Sequence, residues 1–230
     1  MNGIFKKILS WLLFFVCVGL VYLIYSSIMQ PVNFNKQKKV REDVAIQRLK
    51  DIRTLQVAYK GVKGTYTASI DTLKDFYENG KIAVVMQIGS QDDSLAVDHT
   101  DKVKKANRKI TPQDLYQMYL AGDKNLVFSV ENDIAVKDTL FNNRPDFNID
   151  SLKTIPFSDG EPVIMDAIVR TVSGVQVPLF EAKMPYKLLL KGMDNQLRIN
   201  LDADQRDMNR YEGLQVGSID VPNNNAGNWE

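Results

Sequence analysis

The stretch "KKILSWLLFFVCVGLVYLIYSSIMQP", Lys6–Pro31, decides what kind of chain this is. From Ile8 to Met29 no residue is charged, a run of 22 positions. At about 1.5 Å per residue a helix over that run is about 33 Å long, enough to cross a hydrocarbon core about 30 Å thick. Lys6 and Lys7 flank one end; Trp11 stands near that end and Tyr22 and Tyr25 near the other. Amphipathic rings and cations of this kind suit the two membrane interfaces. A cleaved signal peptide has a shorter apolar region followed by small residues. Here the run continues through Tyr22, Leu23, Ile24 and Tyr25, and bulky residues precede Cys17 where a lipoprotein signal needs small ones. The expectation is an uncleaved transmembrane anchor over residues 1–30.

The flanking charges leave two orientations open. Lys6, Lys7 and the amino terminus favour an N-terminus inside, whereas Lys36, Lys38, Lys39 and Arg41 favour the reverse. By analogy with bacterial signal anchors, the reading taken is N-inside. That puts the anchor in a bacterial inner (cytoplasmic) membrane and the C-terminal part in the periplasm.

Beyond the anchor, Pro31 removes a backbone donor and restricts Gln30, so a helix should kink or break there. Residues 31–40 then read as a linker. Apolar positions next recur at Ala45, Leu49, Ile52, Leu55, Tyr59 and Val62, steps of three and four that mark one face of a helix. A helix is expected from about Arg41 to Lys60, ended by Gly61 or Gly64 in a left-handed cap. "TASIDTLKDFYENGK" predicts a short helix, "KIAVVMQIG" a buried strand, and "SQDDSLAVDHTDKVKKANRK" a polar surface loop. "TPQDLYQMYLAG" predicts a helix capped by Thr111 with Pro112 in its first turn.

From Asn125 the chain reads as strand-rich: "NLVFSVE", "DIAVKDTLF", "EPVIMDAIVRTV", "VQVPLFEAKM" and "GLQVGSI". Ser173-Gly174 between two alternating runs is a hairpin turn. "KLLLKGMDNQLRINLD" fits a strand by Leu197, Ile199 and Leu201 and a helix by Leu189, Met193 and Leu197. The last residues, 221–230, hold little to bury except Trp229 and read as a flexible tail. The fold class expected is α+β: an N-terminal transmembrane helix, then an amphipathic helix packed on a mainly antiparallel sheet, in one domain over 41–220.

The composition excludes several chemistries. Net charge is +1, which gives no global attraction to nucleic acid. Residues 31–110 carry 16 Lys/Arg against 10 Asp/Glu, and residues 111–230 carry 11 against 18. That polarity suits lateral or head-to-tail assembly, or simply a solvated surface. The one cysteine, Cys17, lies in the apolar run, so no disulfide or thiolate metal site can form beyond it. The one histidine, His99, has Asp98 and Asp101 beside it but no nucleophile-elbow motif in the chain. "DADQRDMN", Asp202–Asn209, is rich in oxygen ligands but lacks the central Gly and terminal Glu of a calcium loop. Asp92 and Asp93 are paired only in sequence. The basic run Lys102–Lys109 has no interleaved aromatic residue, and no phosphate-binding glycine motif occurs. No catalytic, cofactor-binding or metal-ligating residue is assigned, and no cofactor or nucleic-acid partner is expected.

An apolar N-terminal helix, a proline, an amphipathic helix and then "LQVAYKGVKGTYTASIDTL" resemble type IV pilins and type II secretion pseudopilins over the N-terminal third. The matching positions are Ile52, Leu55, Ala58, Tyr59, Gly64, Tyr66, Thr67 and Leu73. Two features depart from that family. Gly3 is followed by Ile4-Phe5-Lys6-Lys7 with no Glu before Glu42, which is not the prepilin-peptidase pattern, and the head has no cysteine for a disulfide loop. The resemblance implies a membrane-anchored domain in a secretion or pilus-like envelope machine. Its partners would be the lipid bilayer, other membrane or envelope proteins, and copies of itself. The alternative is an anchored ligand-binding or sensor domain.

Overall fold

The computed structural model describes Gly3–Glu230, with side chains from Ser10 onward, so Lys6 and Lys7 lie outside the described side chains. In chain order the elements are α1 (Gly3–Lys63), α2 (Ile70–Asn79), β1 (Lys81–Ile88), α3 (Ser94–Ala106), α4 (Pro112–Leu120), β2 (Phe128–Ala135), α5 (Val136–Thr139), a 3-10 turn (Ile149–Leu152), β3 (Ile164–Val172), β4 (Val175–Pro185), α6 (Tyr186–Leu189), α7 (Asn195–Asp207) and β5 (Gly213–Gly217). The fold is α+β, as expected, but its strands form two small antiparallel sheets, β1-β2 and β3-β4-β5, where one sheet was anticipated.

The chain divides into two compact units. The first comprises the N-terminal stretch through Thr54, Thr67–Ile70 and Asp150–Glu230; the second comprises Leu55–Tyr66 and Asp71–Ile149.

In the first unit α1 runs straight through Pro31, so the expected break does not occur and residues 31–40 are helical. A proline inside a helix forfeits one backbone bond. Here the next turn is held from outside, because Phe34 is buried and Gln30 Nε2 donates to Asp194 Oδ2 at 2.6 Å. The expected stripe buries Ala45, Leu49 and Ile52 completely. Burial of each large side chain contributes roughly 1.5–3 kcal/mol. The sheet supplies Leu179, Phe180, Ala182 and Met184 from β4 and Leu214 and Val216 from β5 to the buried set. β3 and β4 form the predicted hairpin. Ser173 (φ 51°) and Gly174 (φ 83°) both take positive φ, the type I′ pairing whose twist matches the strands.

The ambiguous segment is two helices, α6 and α7, separated by Gly192 at φ 80°. Asp194 caps α7, accepting the Leu197 N–H at 2.9 Å. Residues 221–230, expected as a loose tail, are tied along β5. Gly217 N–H donates to Ala226 O (3.0 Å), Asn228 N–H to Gln215 O (3.0 Å), and Arg53 pairs with Glu230 (2.7 Å).

In the second unit Gly64 ends α1 at φ 78°, its N–H donating to Lys60 O at 2.8 Å. Leu55 is buried, Val62 is exposed, and Tyr59 meets Phe76 edge-on at 5.3 Å. Ile88, Leu115, Leu126, Phe128 and Val130 form the core cluster. α4 follows the expected pattern: Thr111 and Asp114 make a reciprocal capping box with Pro112 at the first position. Two expectations fail. The supposed loop contains α3, started by Asp93, whose carboxylate accepts from Leu95 N–H (3.1 Å) and Ala96 N–H (3.2 Å). β1 is a strand but is not buried: Val85 is 67% exposed and only Ile88 is covered, because a two-stranded ribbon cannot bury a whole strand. "DIAVKDTLF" completes β2 and then turns into α5 instead of extending as a strand.

Candidate functional site

Two features of the first unit could carry function: the apolar length of α1 with the seam that follows it, and a charged cavity beside α7. Every residue from Ser10 to Ile28 is exposed, and the large apolar side chains from Trp11 to Ile28 are 49–68% exposed. Trp11, Phe14 and Phe15 stack on one another at 5.8–6.3 Å and on nothing else described. A hydrophobic area of this size is not left to water by a monomeric soluble protein. By length and composition α1 is long and apolar enough to span a membrane.

Tertiary bonding starts where the uncharged run stops. Gln30 reaches Asp194, and Arg41 donates to Leu189 O (3.1 Å) and Lys191 O (2.8 Å) while lying 4.8 Å over the Phe157 ring. Glu42 accepts from the Tyr186 hydroxyl at 2.7 Å and pairs with Lys38 at 3.2 Å. Burial, together with the Glu42 bond and its charge, drives the Tyr186 phenol far above its ordinary value. The hydroxyl therefore stays a proton donor and keeps the seam closed. Asp194 works on both sides: Oδ1 caps α7 while Oδ2 holds Gln30. The Leu197 backbone bond and then the Gln30 bond lower its pKa.

The cavity, about 570 Å³, lies among Pro185, Lys187, α7 and Arg210–Glu212. Arg198, Asp202 and Arg206 project from successive turns of α7 into its lining. Arg198 pairs with Asp202, and Arg206 with Glu212 at 3.0 Å. Asp202 is buried, and its Oδ1 has no hydrogen-bond partner among the described residues. Burial raises its pKa despite Arg198. Burial and then Glu181 push the Tyr211 phenol up to about 12. The cavity presents more cationic than anionic side chains, an arrangement suited to an anionic group. Sequence reasoning did not find it, because its walls come from three segments and the Arg198–Asp202–Arg206 spacing has meaning only on a helix.

The residues weighed as catalytic or metal-binding are dispersed. His99 stands on α3, half exposed, with Nε2 2.9 Å from Asp123 Oδ2, and that bond chiefly lowers the Asp123 pKa. Asp98 instead pairs with Lys102 at 2.6 Å. Asp93 is a helix cap, the Asp202–Asn209 segment begins inside α7, and Lys102–Ala106 belong to α3. Among the described residues no group of three or more His, Cys, Asp or Glu side chains is placed to hold a metal ion. No protein-family model, curated protein or solved structure matches the chain.

Proposed function

We propose that this chain is a non-enzymatic single-pass membrane protein. Its α+β part would act outside a bacterial cytoplasmic membrane as a structural or assembly component of a secretion or pilus-like envelope machine. The observation that carries this reading is the seam at Met29 and Gln30. One unbroken helix changes there from wholly exposed and apolar to bonded into a folded unit. A helix built this way joins a bilayer segment rigidly to a domain, which is what an anchored scaffold requires. The order of parts, a long helix followed by a strand-rich head, is that of the pilin-like proteins the sequence resembles. Lipid, neighbouring envelope proteins and copies of the chain are its partners in this reading.

Cys17 tests the anchor directly. In sealed membrane vesicles it should resist a water-soluble maleimide and react once detergent and denaturant are added. An added cysteine at exposed Val221 should react wherever the reagent has access to the head. Equal labelling of Cys17 and the Val221→Cys position in intact vesicles would defeat the anchored reading.

The cavity beside α7 favours a second reading, an anchored domain that binds a small anionic ligand. Titration of the full chain in detergent with inorganic phosphate and with succinate tests it. A saturable response lost in Arg210→Ala supports binding, and no saturable response leaves the scaffold reading alone.

A further inference from the structure

The three-stranded sheet has one closed edge and one open edge. β5 is covered by the 226–228 segment, through the Gly217-to-Ala226 and Asn228-to-Gln215 backbone bonds. β3 has no strand on its outer side among the described residues. An open edge is a template for another strand. Asp166, Val169 and Arg170 on β3 are exposed, Val169 by 52%.

The hydrogen-bonding phase of that edge can be read. The Ala167 N–H is taken by the Asp166 carboxylate at 2.8 Å and the Val163 N–H by Lys153 O at 3.0 Å, so neither serves β4. Odd-numbered residues therefore turn their backbone groups outward. Since Lys153 already occupies the edge at Val163, the free length is Met165–Thr171. An added antiparallel copy of β3 must pair odd residues with odd, because only hydrogen-bonding groups that face each other form a ladder. Centring the pair on Asp166 or Arg170 sets like charges opposite each other. Centring it on Ala167 or Val169 leaves both charges opposite apolar residues. Centring it on Ile168 sets Asp166 opposite Arg170 twice, Ala167 opposite Val169, and Met165 opposite Thr171. That register is self-complementary, the requirement of a two-fold interface.

We propose that β3 is a self-pairing edge: two copies of the chain join antiparallel β3 strands about a two-fold axis at Ile168, locked by reciprocal Asp166–Arg170 ion pairs. Asp166 exchanges its bond to the Ala167 N–H for the partner's guanidinium, and the freed N–H enters the new ladder. Arg170 now donates to Asp220 O at 2.5 Å, and its five donors let it keep that bond while reaching across. β1, an edge strand with exposed apolar residues, carries no charge after Lys81 and so has no preferred register. The inference deepens the assembly reading by naming a surface, but it rests on the sheet and not on the anchor.

The test uses the full chain in detergent micelles with Cys17→Ser, so that the only thiol is the one introduced. Ile168→Cys faces itself across the axis and should oxidise to a disulfide dimer. Thr171→Cys, more exposed than the half-buried Ile168, faces Met165 and should still stay monomeric. On the Ile168→Cys chain, Asp166→Arg or Arg170→Asp should each cut dimer yield about tenfold, because both pairs become like-charged. Mixing those two charge variants should restore it, since every facing pair is then opposite in sign; recovery also shows that both variants fold. Absence of the Ile168 crosslink, equal crosslinking at Thr171, or indifference to the charge reversals overturns the proposal. A chain that crosslinks at Ile168 yet fails to float with lipid vesicles keeps the pairing and refutes the anchor.

Discussion

Residues 10–29 and residues 34–52 are consecutive lengths of one helix, yet they are built for opposite surroundings. The first is apolar on every face and touches nothing else described; the second is apolar on one stripe, and that stripe is sealed. Backbone hydrogen bonding is the same in both. The difference teaches that helix formation and domain folding are separate events in this chain. The second length is stabilised by the first unit's own side chains, and the first has no such partners among the described residues.

The sharpest way to break the comparison is to truncate one side chain in each length. Leu49→Ala removes a fully buried side chain and should cost about 3 kcal/mol in denaturant unfolding, whereas Leu23→Ala should leave the midpoint unchanged. Equal effects would mean that the two lengths share one environment.

A charge reverses the ranking. Leu20→Arg should oppose membrane insertion by about 3 kcal/mol, read as the fraction of chain recovered with membranes, while the head keeps its circular dichroism signal. Loss of the fold in that variant would show that the apolar length stabilises the head after all.

The smallest effect lies at the seam. Asp194 has its folded pKa below the ordinary carboxylate value of 3.8, so its stabilisation is fully present above that value. It is lost as pH falls through the lower, folded value. Wild type should lose stability relative to Asp194→Asn only in that acidic window. A gap between the two that widens above pH 5 would contradict the assignment.

Legibility from sequence followed the same division. The stripe Ala45, Leu49, Ile52, Leu55 was readable because each large apolar residue recurs where a helix turns inward, and the Thr111 cap because its chemistry is local. The continuity through Pro31 was not, since the residue before the proline, Gln30, is held by Asp194, 164 positions away in sequence. α3 was hidden because the residues it buries, Ala96 and Thr100, are small or polar, while its largest apolar residue, Leu95, is 84% exposed. The cavity beside α7 stayed invisible for as long as "KLLLKGMDNQLRINLD" could be strand or helix. The order of parts, an apolar helix, an amphipathic helix and then strands, was visible at once, but it speaks of architecture and names no partner.

The unbroken passage of α1 from its apolar length into the sheet-bearing unit has a mechanical consequence. A flexible tether would let the head spin freely relative to the apolar length. A continuous helix is a shaft with a fixed rotational phase, so the face carrying Trp11 and Phe15 is geared to the stripe carrying Leu49. Inserting one residue near Ile24 would turn one against the other by about 100° and shift it by about 1.5 Å along the axis. A neighbour that grips the apolar length therefore also sets the heading of β3.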